Sequence, residues 1–95
     1  GENVYPAEVE AVLLAHPAVA EAAVYAVADP EWGQRVAAAV VLRSGANPGA
    51  SELRDWCATR LAHFKIPTTI EFTSALPRTA AGKIKRHVLR RSSPD

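Results

Sequence analysis

The chain has 95 residues, is 48% hydrophobic and 22% charged, and carries a formal net charge of +1 with a single cysteine, Cys57. That length supports one domain with a modest core, and the composition excludes wholesale disorder. One cysteine excludes an internal disulfide and suits a reducing, cytoplasmic setting; no apolar run reaches the ~18 residues of a membrane span.

The first predicted element is a helix opening at Pro6, whose fixed φ and missing N–H suit a first turn. Val9, Val12, Leu13 and His16 recur at helical spacing until Pro17, and Glu8 and Glu10 sit near the positive helix end. Residues 18–28 and 35–43 read as strands, rich in valine and small residues, joined by the turn Asp29-Pro30-Glu31-Trp32-Gly33. Their alanine content leaves helix as the alternative, but length and flanking turn residues favour strand. Trp32-Gly33 reads as architectural, a tryptophan over a sheet end, and Tyr25 as core.

A loop at 44–50 precedes a second helix, with Ser51 as N-cap and Glu52 and Asp55 near its start. Leu53, Trp56, Cys57, Leu61 and Phe64 fall on one helical face, each worth roughly 1.5–3 kcal/mol if buried. Pro67 is expected to end this helix. Residues 68–73 alternate as a strand with Ile70 and Phe72 inward, and Ile84, Val88 and Leu89 suggest a short closing helix. The expected fold is a small α+β domain, a short mixed sheet of about three strands with helices packed on it.

Charge is unevenly spread. Residues 1–31 hold six acids and no Lys or Arg, whereas the last eighteen residues hold six basic residues against Asp95 alone. The basic end contains "LPRTAAGKIKR", residues 76–86, with Lys83 set after Pro77, Thr79, two alanines and Gly82. A Walker-type phosphate loop is excluded, since proline stands at 77 and isoleucine at 84 where glycine and Ser/Thr are needed. Nucleic-acid binding through Lys83, Lys85, Arg86, Arg90 and Arg91 lacks an interleaved aromatic to stack a base. His16, His63 and His87 are scattered and Cys57 lies on an apolar face, so no metal site is expected. The remaining reading is a point charge with little steric escort, suited to a carboxylate or phosphate.

"LPRTAAGKIKR" resembles the final motif of the adenylate-forming enzymes, a family of acyl-CoA synthetases, luciferases and peptide-synthetase adenylation domains. "GENVYPAEVE" resembles the segment after that family's interdomain hinge, and "HPAVAEAAVYAVADPEWGQRVAAAVVL" and "LAHFKIPTTIEF" resemble segments between them. The resemblance covers essentially the whole chain, in the right order. It implies that residues 1–95 are the small, mobile C-terminal domain of an ATP-dependent ligase whose large N-terminal domain is absent. In the family, a carboxylic acid attacks the α-phosphorus of Mg-ATP to give acyl-adenylate and pyrophosphate, and a thiol then displaces AMP.

By its matched position, Lys83 is the adenylation lysine, with Pro77, Thr79 and Gly82 supporting its loop. The family's domain swing would bring Gly1, Glu2 and Asn3 to a channel for the CoA thiol, with Phe64 and Lys65 near CoA. Plainer readings stand beside these: a turn before the first helix for Gly1–Asn3, and compensation of the helix dipole for Lys65. ATP and Mg2+ would be bound mainly by the large domain.

Peptide-synthetase relatives usually show Asn before the Gly-Lys and Asp two residues after the lysine; here Ala81 and Lys85 stand there. The resemblance is therefore nearer to acyl-CoA synthetases acting on fatty, aromatic or related acids, including the o-succinylbenzoate type. A carrier-protein thiol in place of CoA, and an idle binding module of the same fold, are the alternatives. The Pro77–Lys83 spacing also resembles sites silenced by a lysine acetyltransferase, which would remove the Lys83 charge.

Overall fold

The computed structural model describes residues 5–31 and 33–92. Helix α1 (Pro6–Leu14) leads into strands β1 (Val19–Asp29) and β2 (Gly33–Leu42), followed by α2 (Ala50–Ala58), a single 3-10 turn (His63–Lys65), β3 (Thr69–Phe72) and α3 (Arg86–Ser92). The sheet order is β1-β2-β3. β1 and β2 form an antiparallel hairpin, and β3 returns parallel to β2 after the α2 crossover. The mixed α+β sheet domain expected from the sequence is the fold observed.

Alanine and valine explain why the two long strands carry cover on both faces. Alternate residues bury on opposite sides: Ala22, Val24, Ala38 and Val40 join Val9, Leu13, Leu53, Cys57 and Ile70 under α1 and α2. Ala23, Tyr25, Val27, Ala37 and Ala39 join Leu76 on the other side, with Ile84 and Leu89 packed over them. A strand buried on both faces reads as a nearly continuous apolar run rather than an alternation. The segment carrying Lys83 is thus fastened to the second face by Leu76 before the loop and by Ile84 and Leu89 after it.

Several local expectations are corrected. Helix α2 is capped two residues earlier than expected: Gly49 rather than Ser51 is the N-cap, and its carbonyl accepts from the Leu53 N–H at 3.2 Å. The helix ends at Ala58 rather than near Pro67. At its end Arg60 Nη1 and Thr59 Oγ1 donate to the Trp56 carbonyl at 2.9 and 3.3 Å, and Cys57 O accepts from the Arg60 and Leu61 N–H groups at 3.0 and 2.8 Å. Leu61 still packs on the core from beyond the helix, but Phe64 sits on the 3-10 turn, 52% exposed. Phe72 is exposed rather than inward, being the last residue of an edge strand; Ile70 is buried as expected. Trp32 lies outside the described residues. No helix among the described residues is long and apolar enough to cross a membrane.

Candidate functional site: the lysine loop

Residues 77–85 form a short antiparallel hairpin that presents Lys83 at its tip. Arg78 and Ile84 face each other as a bridge, and the Lys85 N–H donates to the Pro77 carbonyl at 2.8 Å. Inside it, the Thr79 N–H donates to Lys83 O at 2.8 Å and the Gly82 N–H to Thr79 O at 2.9 Å. This is the turn-plus-bulge arrangement of a three-residue hairpin loop, which places a left-handed residue just after the turn. Gly82 fills that place with φ +90°, a conformation that side chains resist.

Side chains complete the brace. Thr79 Oγ1 accepts from the Lys83 N–H at 3.1 Å, and Arg78 Nη1 donates to the Gly82 carbonyl at 2.8 Å. Arg78 Nη2 reaches Glu21 Oε1 on β1, also at 2.8 Å. The backbone of Lys83 is therefore fixed on both sides, while its side chain is exposed. Among the described residues its ammonium has no hydrogen-bond or ion-pair partner, in contrast to Lys65. Ala80 and Ala81, also exposed, give the tip no bulk.

Beyond the loop, Arg86 opens α3 and returns to the sheet, donating through Nε to Val24 O at 2.9 Å and through Nη2 to Glu10 Oε2 at 2.7 Å. Arg90 follows one turn later with a bond to Ala26 O at 3.1 Å. These contacts occupy the outer edge of β1, where backbone groups would otherwise face solvent.

The other candidate residues lie apart from this loop. Lys65 Nζ is 2.7 Å from Glu8 Oε1 and lies over the Tyr5 ring at 4.6 Å and the Phe64 ring at 5.7 Å. It belongs to the 3-10 turn and not to α2, so compensation of the α2 dipole no longer describes it. Gly1, Glu2 and Asn3 lie outside the described residues. His16 is a structural residue: Nδ1 accepts from the Ala18 N–H and Nε2 donates to Glu52, both at 3.0 Å. Among the described residues no three His, Cys, Asp or Glu side chains gather as metal ligands.

Arg78 and Glu21 were not singled out by sequence reasoning. Arg78 lies inside the motif that drew attention, but its partner is 57 residues away, beyond any local spacing signal.

Residues 8–83 match the model of the AMP-binding enzyme C-terminal domain. The chain belongs to this family. A 2-succinylbenzoate–CoA ligase from Geobacillus kaustophilus is 53% identical over 99% of this chain and 19% of its own length. A fatty acid–acyl-carrier-protein ligase from Streptomyces coeruleorubidus is 48% identical over 95% of this chain and 17% of its own length. Among solved structures, the o-succinylbenzoate CoA synthetase of Bacillus subtilis in complex with its acyl-adenylate intermediate is 46% identical. It superposes with a TM-score of 0.89 over all of this chain and 19% of that one. The chain thus spans about a fifth of the length of the relatives it matches.

Proposed function

We propose that this domain works within a longer, AMP-forming acid–thiol ligase, that the ligase joins a carboxylic acid to CoA, and that Lys83 is its adenylation lysine. The observation that carries the reading is an exposed ammonium without a partner among the described residues, on a loop whose backbone is fixed.

The chemistry needs such a group. A carboxylate approaching the α-phosphorus of ATP meets like charge, and the in-line transition state spreads more charge over the phosphoryl oxygens. An ammonium 4 Å from one such charge is worth about 4 kcal/mol at an effective dielectric of 20. That is the size of effect seen when a single oriented donor is removed, about 10² to 10³ in rate. Holding the backbone in advance means that little is left to organise at the moment of reaction. ATP and Mg2+ would be held mainly by a large partner domain of the same polypeptide.

After adenylation, rotation of the domain would withdraw Lys83 and turn another face to the acyl-adenylate. Gly1, Glu2, Asn3, Phe64 and Lys65 would then border the route of the thiol. Lys65 would have to exchange Glu8 for a CoA phosphate, a feasible step because Glu8 is 48% exposed and an exposed pair holds only about 0–1 kcal/mol. Acetylation of Lys83 would remove its charge and silence the first half-reaction; intact-mass analysis of ligase treated with an acetyl donor would detect it.

The test is Lys83→Ala in the full-length ligase, with the half-reactions separated. ATP–pyrophosphate exchange should fall by about 10² to 10³, while thioester formation from ready-made acyl-adenylate persists. Survival of both would return the domain to an idle binding module. A carrier-protein thiol is the second reading, favoured by the likeness to the acyl-carrier-protein ligase. Supplying CoA and a phosphopantetheinylated carrier protein in parallel decides between the two acceptors.

A further inference from the structure

The peptide unit that leads into Lys83 is pinned at both ends by adjacent side chains of the same strand. Its carbonyl, on Gly82, accepts from Arg78 Nη1 at 2.8 Å, and its N–H, on Lys83, donates to Thr79 Oγ1 at 3.1 Å. A peptide unit is planar, so fixing both ends sets the Lys83 N–Cα bond. The Thr79 N–H to Lys83 O bond at 2.8 Å holds the far side of the residue, and together they set the direction in which Cα–Cβ leaves the loop. Thr79 is part of the hairpin and moves with it. Of these two side chains it is Arg78 that extends from that plane to the body of the domain, through Glu21 Oε1 at 2.8 Å.

We propose that Arg78 is a positioning residue for Lys83, transmitting the orientation of β1 to the lysine through the Glu21–Arg78–Gly82 brace. The inference rests on the reading of Lys83 as the adenylation lysine and adds the group that aims it. Stability is a poor explanation for the brace: Arg78 and Glu21 are each 40% exposed, and exposed ion pairs contribute little. Geometry is a better one. Gly82 has no side chain to restrict its own torsions, so without Arg78 the carbonyl end of the peptide is released, and the plane is held only by Thr79, which belongs to the hairpin itself. The planar guanidinium suits the task, since it can present two donors in fixed directions to two acceptors at once. In Arg78→Lys a single ammonium nitrogen, with three donors but no fixed plane, would have to come within reach of both acceptors in place of two nitrogens held apart.

The test uses the full-length ligase with Arg78→Ala, Arg78→Lys, Lys83→Ala and the Arg78→Ala/Lys83→Ala pair beside wild type. ATP–pyrophosphate exchange reads adenylation, and thioester formation from ready-made acyl-adenylate and CoA reads the second half-reaction. Arg78→Ala should lower the exchange kcat about tenfold, with KM for acid and ATP within about twofold and thioester formation within about twofold. Arg78→Lys should restore only part of the loss. Adding Arg78→Ala to Lys83→Ala should lower exchange no further, because the arginine acts through the lysine.

Wild-type exchange in Arg78→Ala beside an impaired Lys83→Ala overturns the inference. So does full rescue by lysine, or a further loss in the double variant, which would give Arg78 its own contact with substrate. Equal loss in both half-reactions overturns it in favour of a folding role. Intact exchange in Lys83→Ala overturns the reading of the lysine, and the brace with it, and the single variants keep that outcome distinct from failure of the brace alone.

Discussion

Arg86 and Glu10 meet at 2.7 Å over the outer edge of β1, and between them they occupy the backbone of Val24. Glu10 Oε2 accepts from the Val24 N–H at 2.8 Å, and Arg86 Nε donates to the Val24 carbonyl at 2.9 Å. An ion pair thereby takes the position of a neighbouring strand at this residue. It also ties α1, the sheet and α3 together at a point three residues after Lys83.

Removing one member should cost more than a surface ion pair would, because the Glu10 side chain is only 15% exposed. Glu10→Ala leaves both a guanidinium and a backbone N–H without their acceptor. We expect a loss of about 2 kcal/mol, between the value of an ordinary hydrogen bond and that of a fully buried pair. Glu10→Gln keeps an acceptor and should lose about half as much. Urea denaturation checks both through the midpoint, with the slope unchanged if the effect is on the native state.

This clamp also marks the limit of what was legible in the sequence. Strands β1 and β2, and the isolated position of Lys83, could be read because each depends on neighbours within a few residues: valine and alanine runs, turn residues, a glycine before a lysine. Glu10 and Arg86 are 76 residues apart, and their meeting is a product of the finished topology. Glu10 therefore read as a helix-start charge and Arg86 as one more member of a basic run. The end of α2 escaped for the opposite reason. The apolar spacing of Leu53, Trp56, Cys57, Leu61 and Phe64 continues smoothly past Ala58, whereas the helix ends there with the Trp56 carbonyl taken by the Thr59 and Arg60 side chains. The hairpin bonds that hold Lys83 depend on turn geometry, which Gly82 hinted at without specifying.

Trp56 joins the two helices that cover one face of the sheet. Its Nε1–H donates to the Val12 carbonyl at 2.8 Å, in the last turn of α1, where carbonyls lack partners within the helix. Its ring meets His16 edge-on at 4.9 Å and carries the Arg60 guanidinium at 3.3 Å. Trp56→Phe keeps an aromatic face but loses the donor and some volume, so stability should drop by about 1–2 kcal/mol. Amide exchange should rise most at the C-terminal turn of α1 if the lost bond dominates.

Gly82→Ala separates backbone strain from steric conflict. A methyl group at this position would meet nothing within 4 Å, yet φ is +90°. The cost is therefore the conformational preference of alanine alone, about 1–2 kcal/mol. Global stability should fall by no more than that. Adenylation by the full-length ligase should fall further than thioester formation, because the loop would relax toward negative φ and turn the peptide held by Arg78 and Thr79. Equal effects on the two half-reactions would argue that the turn is structural only.

Cys57 gives a pH dependence whose sign can be stated. Its side chain is buried under α2, and burial pushes the thiol pKa up, a rise that the nearby Arg60 charge only partly offsets. In the unfolded chain the thiol ionises near its ordinary value of about 8.5; in the native state it stays protonated to higher pH. Above that ordinary value the unfolded state binds fewer protons than the native state, so stability must decline as pH rises from there toward the native pKa. Cys57→Ala should remove this part of the alkaline decline, at the cost of a small cavity at every pH. Urea midpoints for both proteins between neutral and alkaline pH would show the two curves converging as pH rises. A thiol-specific reagent should label native Cys57 only as fast as the domain opens, because the reactive species is the thiolate and burial suppresses it. If labelling proceeds at the rate of a free thiol in the folded protein, the burial argument fails and the alkaline slope has another source.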